Sequence, residues 1–178
     1  PNGGMYEVVK GIKLLAEENG VKFVSSAEIK KIEVNKDGVA TGIIINDELI
    51  RSDIILSGAD YHHTEQLLPI NFRQYSDEYW NTRKFAPSSL LFYVGFDKKI
   101  QNVSHHTLFF DADFDSHSSY IYDTLEWPKD PLFYANFPSK TDKTFAPEGH
   151  ESATFLIPIA IGLEDNDDLR KKYFDIIK

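Results

Sequence analysis

Two adjacent histidine pairs, His62-His63 and His105-His106, are the side chains best suited to proton chemistry near neutral pH. On a strand, neighbouring side chains point to opposite faces, so His105 and His106 do not jointly grip one metal. Either is a candidate to orient a substrate or carry a proton. The plainer expectation is one surface or turn histidine beside one hydrogen-bonded core histidine. The chain has no His-x-x-x-His or glutamate-bearing ligand spacing and no cysteine, so a metal is not expected, and disulfides and cysteine nucleophiles are excluded. Asp111-Ala112-Asp113-Phe114-Asp115 alternates like a calcium loop, yet it lacks the central Gly and the terminal Glu; it reads as a solvated acidic turn. No Gly-x-Ser-x-Gly elbow supports hydrolase chemistry. A formal net charge of −9 argues against nucleic acid as a partner.

Positioning these residues falls to a mixture of helices and strands. Met5, Val8, Val9, Ile12, Leu15 and Ala16 recur at helical spacing and predict a helix over 5–18 with one buried face, stopped by Asn19-Gly20. Strands are expected at 21–24, 29–34, 39–45 and 49–56, with Asn35-Lys36-Asp37-Gly38 and Asn46-Asp47 as turns. Residues 61–86 read as helical up to Pro87. Strands at 89–96, 107–110, 133–137 and 154–161 follow, joined by aromatic, proline-bearing loops. Glu164 to Asp168 opens a last helix, where carboxylates complement the helix dipole. The fold class is α+β, with mixed or antiparallel sheet and flanking helices. The longest apolar runs, near 89–96 and 155–163, fall well short of the ~20 residues of a membrane span. The chain opens on Pro1 and ends within an amphipathic pattern, as an excerpt of a longer protein would.

An ordered set of short strings resembles the phytoene dehydrogenase (desaturase) branch of the FAD-dependent amine-oxidase-like superfamily. Pro1-Asn2-Gly3-Gly4-Met5 is similar to that family's Pro-x-Gly-Gly-Met segment opening a helix. Gly20-Val21-Lys22-Phe23, Ile29-Lys30-Lys31-Ile32 and Gly42-Ile43 through Asp53-Ile54-Ile55 resemble its flavin-domain meander, closed by Ala59-Asp60. Pro87-Ser88-Ser89, Tyr93-Val94-Gly95, His105-His106 and Asp130-Pro131 continue the series. Pro138 to Asp142, Ala146 to Gly149 and Leu156-Ile157-Pro158 complete it.

The resemblance implies a central portion of a Rossmann-type FAD-dependent oxidoreductase, with 1–60 on the flavin side and 61–178 in the substrate-binding domain. It implies desaturation of a carotenoid precursor such as phytoene, with an isomerase, a hydroxycarotenoid desaturase or a saturase of the same family, or a non-catalytic carotenoid-binding domain, as rivals. It further implies a cytoplasmic protein held peripherally at a membrane, since such polyenes dissolve only in lipid. The Ile29 main chain would lie on the adenine side of FAD. Gly4 and Met5 would approach the substrate side. A dry hydrocarbon channel suits aromatic walls, for which Phe92, Tyr93, Phe109, Phe110, Phe114 and Tyr134, with His105 and His106, are the candidates; ordinary core packing is the competing expectation for each aromatic. The Gly-x-Gly-x-x-Gly turn that receives a pyrophosphate is missing, so this portion alone is expected to be catalytically incomplete.

Overall fold

The computed structural model describes residues 2–178; Pro1, which opens the Pro-x-Gly-Gly-Met string, lies outside them. The described residues fall into two compact units. One is Glu17–Arg83, and the other joins the stretch up to Ala16 with Lys84–Lys178. This is a division by contacts, distinct from the division by role expected at residue 60.

The Glu17–Arg83 unit is built on an antiparallel meander of β1 (Ile29–Val34), β2 (Ala40–Ile45) and β3 (Glu48–Arg51), in the order β1-β2-β3. Asn35 shapes the first turn, its Oδ1 accepting from the Asp37 and Val39 amides at 3.0 and 2.9 Å. Asn46 and Asp47 both adopt positive φ, 51° and 65°, the conformation of a two-residue hairpin turn matched to strand twist. The expected strand at 49–56 stops at Arg51, and 21–24 joins no ladder although Val21 and Val24 are β-branched. Strand propensity needs a partner edge to become a strand.

Residues 61–86 are not one helix. Pro69 interrupts it, leaving α2 (Tyr61–Gln66), a short 3₁₀ turn and α3 (Asp77–Asn81). Asp60 and Ser76 cap the two helices, accepting from the His63 and Tyr79 amides. Buried Glu65 ties these pieces together: its carboxylate accepts from the Gln74 amide and from Trp80 Nε1, both at 2.8 Å.

The other unit contains α1 (Tyr6–Glu18) through Ala16 and a four-stranded antiparallel sheet. The strands are β4 (Ser88–Phe96), β5 (His106–Phe109), β6 (Phe133–Asn136) and β7 (Glu151–Ile159), ordered β4-β7-β6-β5. All of β4 pairs with all of β7, from Ser88↔Ile159 to Phe96↔Glu151. Pro158 is tolerated in this inner strand because the β6 ladder ends at Leu156. Strict alternation buries Ala153, Phe155, Ile157 and Ile159 on one face, where α5 (Asp167–Ile177) brings Tyr173 and Ile177. Asn166 caps α5 and acidic residues fill its first turn, as expected.

Two expectations need correction here. The apolar stripe of α1 is present, but Met5, Val8, Val9, Ile12 and Leu15 are exposed and the helix buries no residue. Periodicity defines which side of a helix is apolar; what packs there decides burial. The aromatic loop after Phe110 is also partly helical. Asp113 accepts from the Ser116 amide at 2.8 Å and caps α4 (Phe114–Ser119), which runs into a π-helical turn over Tyr120–Thr124. The acidic run is thus in part a helix cap.

Candidate functional site

Strand parity sorts the aromatic candidates onto two faces of the second sheet. The register aligns Leu91, Leu156, Tyr134 and Leu108 in one row across all four strands, and Tyr93, Thr154, Asn136 and His106 in the next. These rows share a face, and Leu91, Tyr93 and Leu108 are exposed on it. The intervening rows face the core. Phe92 packs on both buried clusters, with its ring 5.5 Å from Phe174. Phe109 stacks on Phe133 at 4.5 Å and belongs to the same packing.

At one end of the open face lies a half-open cavity of about 330 Å³. Exposed Leu108, Phe110 and Phe114 line its open side together with Tyr134, and Ile121 and Leu132 form its buried wall. Its lining is almost wholly apolar. Phe110 and Phe114 lie 6.4 Å apart between ring centroids. Such a cavity holds hydrocarbon by shape and dewetting, with few polar anchors.

A short polar chain runs along the next row. Tyr134 Oη accepts from Asn136 Nδ2 at 3.0 Å and lies 2.6 Å from His106 Nδ1, with the His106 and Tyr134 rings roughly stacked. His105 leaves this face and bonds Thr141 Oγ1 at 2.6 Å. Thus adjacent histidines do take separate partners, although their rings remain 4.4 Å apart.

The cavity also contains a residue that sequence reasoning missed. His117 is buried; its Nδ1 accepts from the Leu132 amide at 2.8 Å, which requires the proton on Nε2, and Nε2 donates to the Pro158 carbonyl at 2.8 Å. The usable signal was the Asp113…Ser116 capping spacing, which places His117 in the first turns of a helix. Leu108, Ile121 and Leu132 were missed because their place at the cavity depends on the register of β5 with β6 and on a π-helical turn.

The remaining candidates lie elsewhere. Ile29 begins β1 opposite Ile45 and is half-buried. Gly4 and Met5 precede α1, at the end of the chain that carries the Gly3–Asp142 hydrogen bond. The described residues do not by themselves fit a dinucleotide phosphate: Gly3-Gly4 is not followed by a third glycine at the Gly-x-Gly-x-x-Gly spacing, and Glu7 puts a carboxylate in the first turn of α1. Among the described residues no group of three or more His, Cys, Asp or Glu is arranged to hold a metal, and no helix is long and apolar enough to cross a membrane.

No family model matches the chain. Individual proteins do. A carotenoid 3,4-desaturase of Haloarcula japonica is 40% identical over 97% of the chain, which covers 35% of that protein. A phytoene desaturase of Cercospora nicotianae is 31% identical over 93% of the chain, covering 27% of its length. The chain thus spans about a third of the length of the curated relatives it matches. In three dimensions it resembles an oxidoreductase from Methanosarcina mazei, with a TM-score of 0.67 and 17% identity over 99% of the chain and 37% of that structure. At this identity the likeness concerns the fold alone. The chain is therefore homologous to a segment of carotenoid and phytoene desaturases.

Proposed function

We propose that this chain is the polyene-holding segment of an FAD-dependent carotenoid desaturase, acting on phytoene or a related polyene. The observation that carries the reading is the apolar cavity at the end of an exposed sheet face, lined by Leu108, Phe110, Phe114 and Tyr134. Hydrocarbon offers no hydrogen-bonding handle, so a shaped apolar wall is what its recognition requires. The names of the relatives support the same substrate class.

Desaturation of a C–C bond removes a hydride and a proton, and no side chain accepts a hydride; FAD supplies that chemistry in this reading. Its glycine-rich phosphate seat belongs to other parts of the longer protein. Residues 1–60 lie on the flavin side of a Rossmann-type fold, with the Ile29 main chain near the adenine and Gly4 and Met5 toward the substrate. Residues 61–178 belong to the substrate domain. There Tyr93, Phe110, Phe114 and Tyr134 face the polyene, Phe92 and Phe109 stiffen the sheet from its core side, and His106 orders Tyr134. Leu108, Phe110 and Phe114 are 59–61% exposed and form the contact with lipid from which the polyene enters, at the cytoplasmic side of a membrane.

The test is expression of the full-length parent protein in a phytoene-accumulating bacterium, with analysis of the extracted pigment and of flavin in the purified protein. New visible bands from longer conjugated polyenes are expected, together with bound flavin and flotation on liposomes. A flavin-bound protein that leaves phytoene and later carotenoids unchanged would overturn the reading.

A further inference from the structure

The loop that enters α1 is held by a distant part of the chain. The Gly3 amide donates to Asp142 Oδ2 at 2.7 Å across 139 positions of sequence. The other carboxylate oxygen, Oδ1, accepts from the Thr144 amide at 2.9 Å and from its hydroxyl at 2.7 Å, capping the 3₁₀ turn Lys143–Phe145. That turn presents Phe145 to the next glycine. A Cβ on Gly4 would stand 2.7 Å from Phe145 Cζ, so the ring tip packs directly on this glycine, and the φ of +90° at Gly4 is a backbone conformation that favours glycine. The loop is therefore held by a charge-assisted hydrogen bond at Gly3 and by ring packing at Gly4. It leads directly into the helix, where the Glu7 and Val8 amides already bond the Gly4 and Met5 carbonyls. Two consecutive glycines have the most backbone freedom to lose, and a loop of this kind needs such a tether to keep one geometry.

We infer that Asp142 and Phe145 are positioning residues, which fix the Gly3–Gly4–Met5 loop for the reaction on the polyene. The inference rests on the proposed role of Gly4 and Met5 beside the substrate. Placement matters because small misplacements of a positioned group at a reacting centre lower turnover more than binding.

Asp142→Asn isolates the contact. Asparagine keeps a carbonyl oxygen for Thr144 and is a good cap, but its amide nitrogen has no lone pair to accept from Gly3. The full-length flavoprotein, its Asp142→Asn variant and its Phe145→Ala variant would be compared by hydrogen exchange of a peptide spanning 2–6, by kcat and KM on phytoene in liposomes, and by melting temperature. Both variants are expected to exchange about tenfold faster in that peptide and to lose about tenfold in kcat, with KM within about twofold and melting little changed. Unchanged exchange in Asp142→Asn would overturn the tether. Faster exchange with wild-type kcat, or a kcat loss that merely follows lower melting temperature, would overturn the positioning role. A wild-type protein inactive on every carotenoid would instead overturn the desaturase reading, while the exchange comparison would still decide the tether.

Discussion

His117 Nδ1 accepts a 2.8 Å hydrogen bond from the Leu132 amide while its Nε2 donates to the Pro158 carbonyl, so one buried ring joins α4, the segment before β6, and β7. The carbonyl it satisfies lies just where β7 has lost its β6 partner. His117→Ala leaves two backbone groups buried without partners, and a loss of about 2–5 kcal/mol is expected in urea unfolding. A loss below about 1 kcal/mol would mean that water replaces the ring at both positions.

The two faces of the second sheet should answer differently to the same truncation. Phe155→Ala opens a hole in the core and is expected to cost about 3–5 kcal/mol. Phe114→Ala, at the exposed mouth of the cavity, should change stability by no more than about 0.5 kcal/mol. On the proposed desaturase reading, the same change in the full-length protein should raise KM for a polyene about tenfold or more, the effect of losing one buried aromatic contact. Equal KM in Phe114→Ala and wild type would remove this residue from the substrate wall.

Glu151 gives the protein an acid-sensitive joint. Its burial alone would push the carboxyl up, but hydrogen bonds from Ser139 and Lys140 and the charges of Lys140 and Lys99 outweigh burial and hold it below the usual carboxylate range. A carboxyl depressed by folding adds stability above its unfolded pKa, and that stability is lost as pH falls through the ordinary range to the depressed value. Urea midpoints followed from about pH 6 down to about pH 3 should therefore fall less steeply for Glu151→Gln than for wild type. Glu151→Gln should also be less stable at neutral pH by about 1–3 kcal/mol, since the ion pairs to the lysines are lost. Parallel acid limbs would show that other carboxylates set the slope.

Tyr173 makes the opposite prediction at high pH. It is fully buried, its hydroxyl donates to the Pro128 carbonyl at 2.5 Å, and burial together with nearby Tyr120 pushes its pKa up to about 12. Because the folded pKa lies above the unfolded value of 10.0, its contribution is complete below that value and is lost as pH rises toward about 12. Tyr173→Phe should be less stable by about 1–2 kcal/mol at neutral pH and should lose part of the alkaline slope. A tyrosinate titration in which every tyrosine ionises near its ordinary pKa without unfolding would refute this.

Much of the local structure was legible in the residues. The helix ending at Asn19-Gly20, the hairpin turns at Asn35–Gly38 and Asn46-Asp47, and most strand centres follow from periodicity and turn chemistry acting over a few positions. The capped last helix does too. Propensity overshot at 21–24 and beyond Arg51, where the described residues offer no partner edge, and helical pattern overshot across Pro69. The ordered motifs were enough to indicate a polyene-desaturating family, and homologues carry those names.

Composition alone placed Phe92 and Tyr93, or Phe109 and Phe110, on an equal footing as wall residues. Which of each pair faces the core is a matter of strand parity, and parity acquires a direction only when α5 covers one face of the sheet. The same limit applies to His117, to the cavity and to the Gly3–Asp142 contact, which joins positions 139 residues apart. Sequence by itself determined most of the elements and their turns, because those depend on neighbours along the chain. Only the tertiary structure decided which aromatics meet, where the cavity lies and what holds the glycine loop, because these are relations between distant residues that exist once the strands have paired.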